Sequence, residues 1–254
     1  MKFLIKKFEK EVKLNDPLLI EGLPGIGNVA RIAVSYLINK LNARPYLSIY
    51  SYISPNSVFV NEDATIELPK IDFYYYKNKK GRDIVFVSGD YQPGREDYSY
   101  LLAEKILDIA EELNVKEIIT LGGFPVIGEL NKVRVYGAIT TKEYIKDFSK
   151  LGVIFDGSGV NLIIGAAGLL LGLGKLRGMK GISLLAETKT MPEYAGIKSS
   201  REILRILNDY LNLGLSLQDL DKEIERMESR KIERKRTRRK ALTEPKVEET
   251  RYIG

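Results

Sequence analysis

LLIEGLPGIGNVARIAVSYLINK, residues Leu18–Lys40, reads as a buried strand, a glycine-rich turn and an amphipathic helix in succession. Leu18, Leu19 and Ile20 form the short apolar run of a parallel strand covered on both faces. Gly22-Leu-Pro-Gly-Ile-Gly27 bends the backbone sharply, and Asn28 is placed to cap the helix that follows. Val29, Ile32, Ala33, Tyr36, Leu37 and Leu41 then recur at helical spacing, giving one face that can lie on a sheet. A helix opening after glycines is also an anion site in principle. The spacing matches neither G-x-G-x-x-G nor a P-loop, and no lysine is placed for a phosphate. A tight strand-to-helix turn is therefore the preferred reading, and a ligand cradle is the alternative.

Working outward, other strands and helices alternate. Lys2–Leu14 reads as an edge strand, and Pro45–Tyr52, Ser57–Val60, Ala64–Leu68 and Ile71–Lys77 read as strands around proline turns. Asp83–Ser88 is a central strand whose loop, Gly89-Asp-Tyr-Gln-Pro-Gly94, leads to a long helix striped by Tyr98, Leu101, Leu102, Ile106, Ile109, Ala110 and Leu113. Glu117–Leu121 is the next strand and stops at Gly122. Val133–Ala138 follows, and Thr140-Thr-Lys-Glu143 reads as a capping box opening a short helix to Lys150. Leu162–Gly178 reads as a buried core helix, although each glycine inside it costs about 1 kcal/mol against alanine. Ile182–Ala186 is the last strand, and Ser199-Ser-Arg-Glu202 is a second capping box. The tyrosines at 46, 50, 52, 74, 75 and 76 fit sheet positions with solvated hydroxyls better than a base-stacking platform.

Such alternation predicts an α/β fold, a mostly parallel sheet flanked by helices on both faces. Strand ends then share an edge, and Gly25, Gly27, Asp90, Gln92, Gly123, Glu187 and Thr188 gather at the carboxyl edge where this class binds ligands. These are the candidate ligand-binding loops. Loop capping and helix-dipole pairing account for their polar members equally well.

The chain has 254 residues, no histidine and no cysteine. That removes Cys–His and Ser–His catalysis, thiol redox chemistry and zinc sites built from His or Cys, so no catalytic residue, cofactor or metal is expected. No apolar run reaches membrane-spanning length. The N-terminus lacks the apolar core and cleavage site of a signal peptide, so a cytoplasmic protein without a membrane partner is expected. High charge without cysteine or tryptophan fits a thermophile's composition. The net charge of +6 is uneven: Arg230–Lys240 holds eight basic residues against Glu233 alone.

Taken together, Glu21-Gly-Leu-Pro-Gly-Ile-Gly-Asn28, Gly89-Asp-Tyr-Gln-Pro93, Leu121-Gly-Gly-Phe-Pro125, Gly165-Ala-Ala-Gly-Leu-Leu170 and Glu187-Thr188 resemble the PAC2 family, the proteasome assembly chaperone 2 group. The resemblance runs from Pro17 to Leu211. It implies a phosphorylase/hydrolase-like α/β fold, assembly into a homo-oligomer, and a non-enzymatic chaperone or activator that docks on the α-subunit ring of the 20S proteasome through its C-terminal tail.

Residues 1–215 would form the α/β domain, 216–240 an amphipathic then basic helix, and 241–254 a flexible tail. Ser216-Leu-Gln-Asp219 reads as a capping box, and Leu217, Leu220, Ile224 and Met227 fall at a and d spacing for about two heptads. The ending Arg251-Tyr252-Ile253-Gly254 is similar to the hydrophobic-Tyr-any motif of proteasome activators and is the expected partner contact, with its tyrosine one place off the usual register. Two other readings remain: a small-molecule protein acting on a nucleoside-like or phosphorylated ligand at the carboxyl edge, and a nucleic-acid clamp at Arg230–Lys240. A basic run after an amphipathic helix is more often a solvated or protein-docking arm, so nucleic acid is the weaker candidate.

Overall fold

Leu18, Leu19 and Ile20 are wholly buried, as a strand with helices on both sides requires. The computed structural model of the chain describes residues 3–79, 81–130, 132–155, 160–190, 195–222 and 224. In order, the elements are β1 (Phe3–Lys7), β2 (Leu18–Gly22), α1 (Val29–Lys40), β3 (Arg44–Ser51), β4 (Phe59–Val60), β5 (Ile66–Glu67), β6 (Ile71–Tyr76), β7 (Ile84–Gly89) and α2 (Glu96–Glu112). There follow β8 (Glu117–Pro125), β9 (Val135–Ile139), α3 (Glu143–Lys150), β10 (Val153–Ile154), α4 (Ala166–Leu176), β11 (Lys180–Thr188) and α5 (Ile197–Tyr210). The chain divides into two units, Met1–Leu215 and Ser216–Gly254.

Nine strands make the main sheet in the order β1-β3-β6-β7-β2-β8-β11-β9-β10, and β4 and β5 pair apart from it. The centre, β7-β2-β8-β11, is parallel throughout. Outside it β1, β3 and β6 add antiparallel to β7, and β9 adds antiparallel to β11 before pairing parallel with β10. The sheet is thus mixed. Parallel pairing follows the helical crossovers, whereas β6 passes into β7 through residues 77–83 with no helix between them and pairs antiparallel.

Alternation along β2 assigns its two faces. A side chain at Gly22 would overlap Val34 of α1, whereas Leu19 joins Leu102 and Ile106 of α2 and Leu170 of α4 in one core cluster. So α1 packs on one face together with α5, while α2 and α4 cover the other. Arg177, just past α4, pairs with Glu104, Asp108 and Glu111 along α2 and ties those two helices together.

Several local expectations are corrected. Asn28 makes no side-chain cap and instead takes a left-handed conformation at φ 51°. Neither capping box forms: Thr140 bonds the backbone of Gly181, and α5 starts before Ser199, whose hydroxyl donates to the Glu187 carbonyl at 2.5 Å. Tertiary partners have taken the oxygens that local capping would use. β8 does not stop at Leu121; its ladder with β11 continues to Pro125, placing Gly122 and Gly123 inside the strand. The apolar run at Leu162 is not helical until Ala166, which leaves Leu162 75% and Ile164 84% exposed. Residues 218–222 are helical, with Ser216 Oγ accepting from the Gln218 amide at 3.4 Å, and the expectations for 225–254 lie outside the described residues.

Candidate functional site

β2 and β7 are neighbours whose following helices lie on opposite faces, so the crevice between their carboxyl ends is the place where folds of this class take ligands. Here that crevice is spanned by one side chain. Gln92, two residues past Asp90 in the loop after β7, donates from Nε2 to the Pro24 carbonyl at 2.6 Å and accepts at Oε1 from the Ala166 amide at 3.0 Å. It therefore links the glycine turn to the first residue of α4, using the donor that a helix N-terminus would offer an anion.

The turn itself is packed from the other side. Gly27 has φ 63°, and a Cβ there would lie 2.5 Å from Thr188 Oγ1. Any side chain at Gly123 would run into the Ile26 carbonyl. Gly196, unremarked in the sequence, donates to the Gly27 carbonyl at 2.8 Å, and Ser200 Oγ donates to Val29 O at 2.9 Å. Gly25 differs, because its φ of −159° is extended backbone and the nearest atom to an added Cβ is 3.8 Å away.

Gly25, Gly27, Gln92, Gly123 and Thr188 thus converge, and their contacts are with one another. Asp90 and Glu187 do not join them. Asp90 accepts from the Lys70 amide at 3.1 Å and faces Arg31 at 3.4 Å across an open pocket of about 230 Å³ lined also by Asp72, Tyr74 and Ser88. Small-molecule sites are typically larger and mostly apolar, unlike this polar recess. Burial pushes the Asp72 carboxyl up, against the hydroxyl of Ser48 and the charge of Lys70. Glu187 is 3% exposed and is held by Arg134, through Nε at 2.7 Å and the backbone amide at 3.1 Å, and by the Tyr136 hydroxyl at 3.3 Å. Burial would raise its pKa, but Arg134 outweighs burial and holds it below the usual carboxylate value.

What the edge offers outward is apolar. Ile26 lies in the turn, Ile127 two residues past β8, and Leu162 and Ile164 just before α4, all of them exposed. Exposed isoleucines and leucines are the residue types that protein contacts bury. The sequence signal for two of them, Leu162-Ile-Ile164, is the run that looks like a buried helix; Arg134 and Gly196 carry no local signal. Among the described residues no group of three acidic side chains is arranged to hold a metal, and no helix is long and apolar enough to cross a membrane. Arg251, Tyr252, Ile253 and Gly254 lie outside the described residues.

Fold and edge together define an α/β protein with helices on both faces of its sheet and Gln92 spanning the crevice between β2 and β7. The PAC2 family model matches residues 19–234, and the chain belongs to that family. An uncharacterized Methanocaldococcus jannaschii protein, MJ1210, is 34% identical over 266 aligned positions that cover both chains completely. The crystal structure of Pyrococcus furiosus PbaB, an archaeal proteasome activator, is similar with a TM-score of 0.84 and 35% identity, covering 91% of this chain and 98% of that one. Pyrococcus furiosus PbaA, an archaeal homolog of proteasome-assembly chaperone, shares the fold with a TM-score of 0.76 at 24% identity over 94% of each chain.

Proposed function

We propose that this protein is a non-enzymatic, homo-oligomeric assembly chaperone or activator that binds the α-subunit ring of the 20S proteasome. The observation that carries the reading is the closed crevice: Gln92 joins Pro24 to Ala166 where a substrate of this fold class would enter. The exposed apolar residues on the same edge favour a protein partner over a small molecule. Likeness to a proteasome activator over nearly the whole of both chains supports a proteasome partner.

Contact through the C-terminal Arg251-Tyr252-Ile253-Gly254 belongs to this proposal. A terminal segment can meet its ordering cost on binding, with Tyr252 and Ile253 as buried anchors and Arg230–Lys240 speeding encounter with an acidic ring surface. The test is binding of the full chain to purified 20S proteasome and to free α subunits, with peptide hydrolysis followed alongside. Binding to either is expected. Failure to bind both at micromolar concentrations would remove the reading.

A further inference from the structure

Glu21 is a charged residue type placed in the middle of the central parallel strand, and it is wholly buried. Its Oε1 accepts from the Leu23 amide at 2.8 Å, while its Oε2 has no hydrogen-bond partner. An ionised carboxylate so placed is costly unless a counter-charge or several donors meet it.

Among the described residues no counter-charge acts on it. Glu21 lies on the face covered by α2 and α4, because it alternates with Gly22, which faces α1. Val87 of β7 stands beside it in register. The buried residues of α2 are Leu102, Ala103, Ile106, Leu107, Ile109 and Ala110, and those of α4 are Ala166, Ala167, Leu170, Leu171 and Gly174. The charged members of those helices, including Glu104, Lys105, Asp108 and Glu111, lie outside the buried sets. The buried tyrosines of that core cluster are Tyr46, Tyr75 and Tyr91, and the Tyr91 hydroxyl has no partner.

What does stand beside Glu21 is a row of hydroxyls. Thr120 of β8 is its register partner, and Ser183 of β11 is the register partner of Thr120. Adjacent strands lie about 4.8 Å apart, so three polar side chains cross the parallel centre in one line on one face. Thr120 Oγ1 and Ser183 Oγ are buried and unpartnered like Glu21 Oε2. Both hydroxyls can accept as well as donate, and neither bonds Glu21 in the structure.

We propose that Glu21 is built into the sheet as a neutral acid, buried beside the unpartnered hydroxyls of Thr120 and Ser183, and that the cost of ionising it there makes the fold less stable as pH rises. Burial raises its pKa from 4.5 to about 8, only partly opposed by the Leu23 and Leu121 backbones. The sign follows: the folded chain keeps a proton that the unfolded chain loses above pH 4.5, so stability falls as pH rises from there toward 8.

The test uses the full chain and Glu21→Gln, which keeps the shape without an ionisable group. Between pH 5 and 8 Glu21 should raise the wild-type unfolding constant by up to about tenfold per pH unit beyond the slope of the variant. Exchange of the β2 amides that open only on global unfolding, corrected for intrinsic base catalysis, should accelerate over the same range only in wild type. Equal slopes in the two proteins would overturn the proposal. If Glu21→Gln does not fold, the carbon-13 shift of the Glu21 carboxyl in wild type decides: no titration below pH 7 upholds it, and titration near pH 4.5 overturns it.

Discussion

Gly25 and Gly27 are separated by one residue and ask different things of the backbone. Gly27 combines φ 63° with Thr188 where a Cβ would go, so alanine there should cost about 1–3 kcal/mol in chemical denaturation. Gly25 is extended and has room, and Gly25→Ala should be neutral or stabilising by up to about 1 kcal/mol through the unfolded chain. The sequence expects a role for both, because composition reveals a tight turn but not which glycine holds the positive φ. Glu187 gives a second residue-scale prediction. Its depressed pKa means that the Arg134 pairing stabilises the fold above about pH 4.5 and is lost as pH falls through the folded value. Arg134→Gln should therefore lower stability by about 1–3 kcal/mol at neutral pH and by less near pH 3, read from denaturation midpoints across that range.

At the scale of elements, the β2 turn and the start of α4 are held together by Gln92. Gln92→Ala removes both bonds and should cost about 1–3 kcal/mol, with faster amide exchange confined to Leu23–Asn28 and the first turn of α4. Exchange spread evenly over the sheet would show that Gln92 is not a local clasp. Elements whose sequence pattern matches their burial were legible: the stripe of α2 places Leu102, Ile106, Ile109 and Ala110 inside, as they are. Helix starts were not. Ser199 and Ser200 have capping chemistry, but Glu187 and Val29 supply carbonyl partners from distant chain, and spacing along one helix cannot register that. The glycines and Gln92 of the edge were legible as a cluster, whereas the partners each takes, Thr188 beside Gly27 and Pro24 and Ala166 for Gln92, depend on rotamers and close approach that no motif encodes.

For the whole molecule, the parallel centre was readable from strand–helix alternation, and the antiparallel wings were not, because short strands such as β1 and β9, of five residues each, leave weak periodicity. Light scattering of the full chain is expected to give a mass above 28.7 kDa, consistent with the proposed homo-oligomer. A 28.7 kDa particle across micromolar concentrations would count against it. Removing Arg251–Gly254 should leave that mass and the melting temperature unchanged while binding to the α ring falls sharply, and Tyr252→Ala should reproduce much of the loss. Undiminished ring binding by the shortened chain would move the contact to the folded body.

The position of β2 bears on how the chain is made. Its two ladder partners, β7 and β8, begin at Ile84 and end at Pro125. On a ribosome adding about 5–20 residues per second, Leu18–Ile20 therefore waits roughly 5–20 s as an unpaired apolar strand before its second neighbour emerges. Throughout that interval the most deeply buried strand of the finished protein is its stickiest unfinished piece. Changes that slow closure of β8 would then surface as aggregation during synthesis, seeded at residues whose own sequence is untouched.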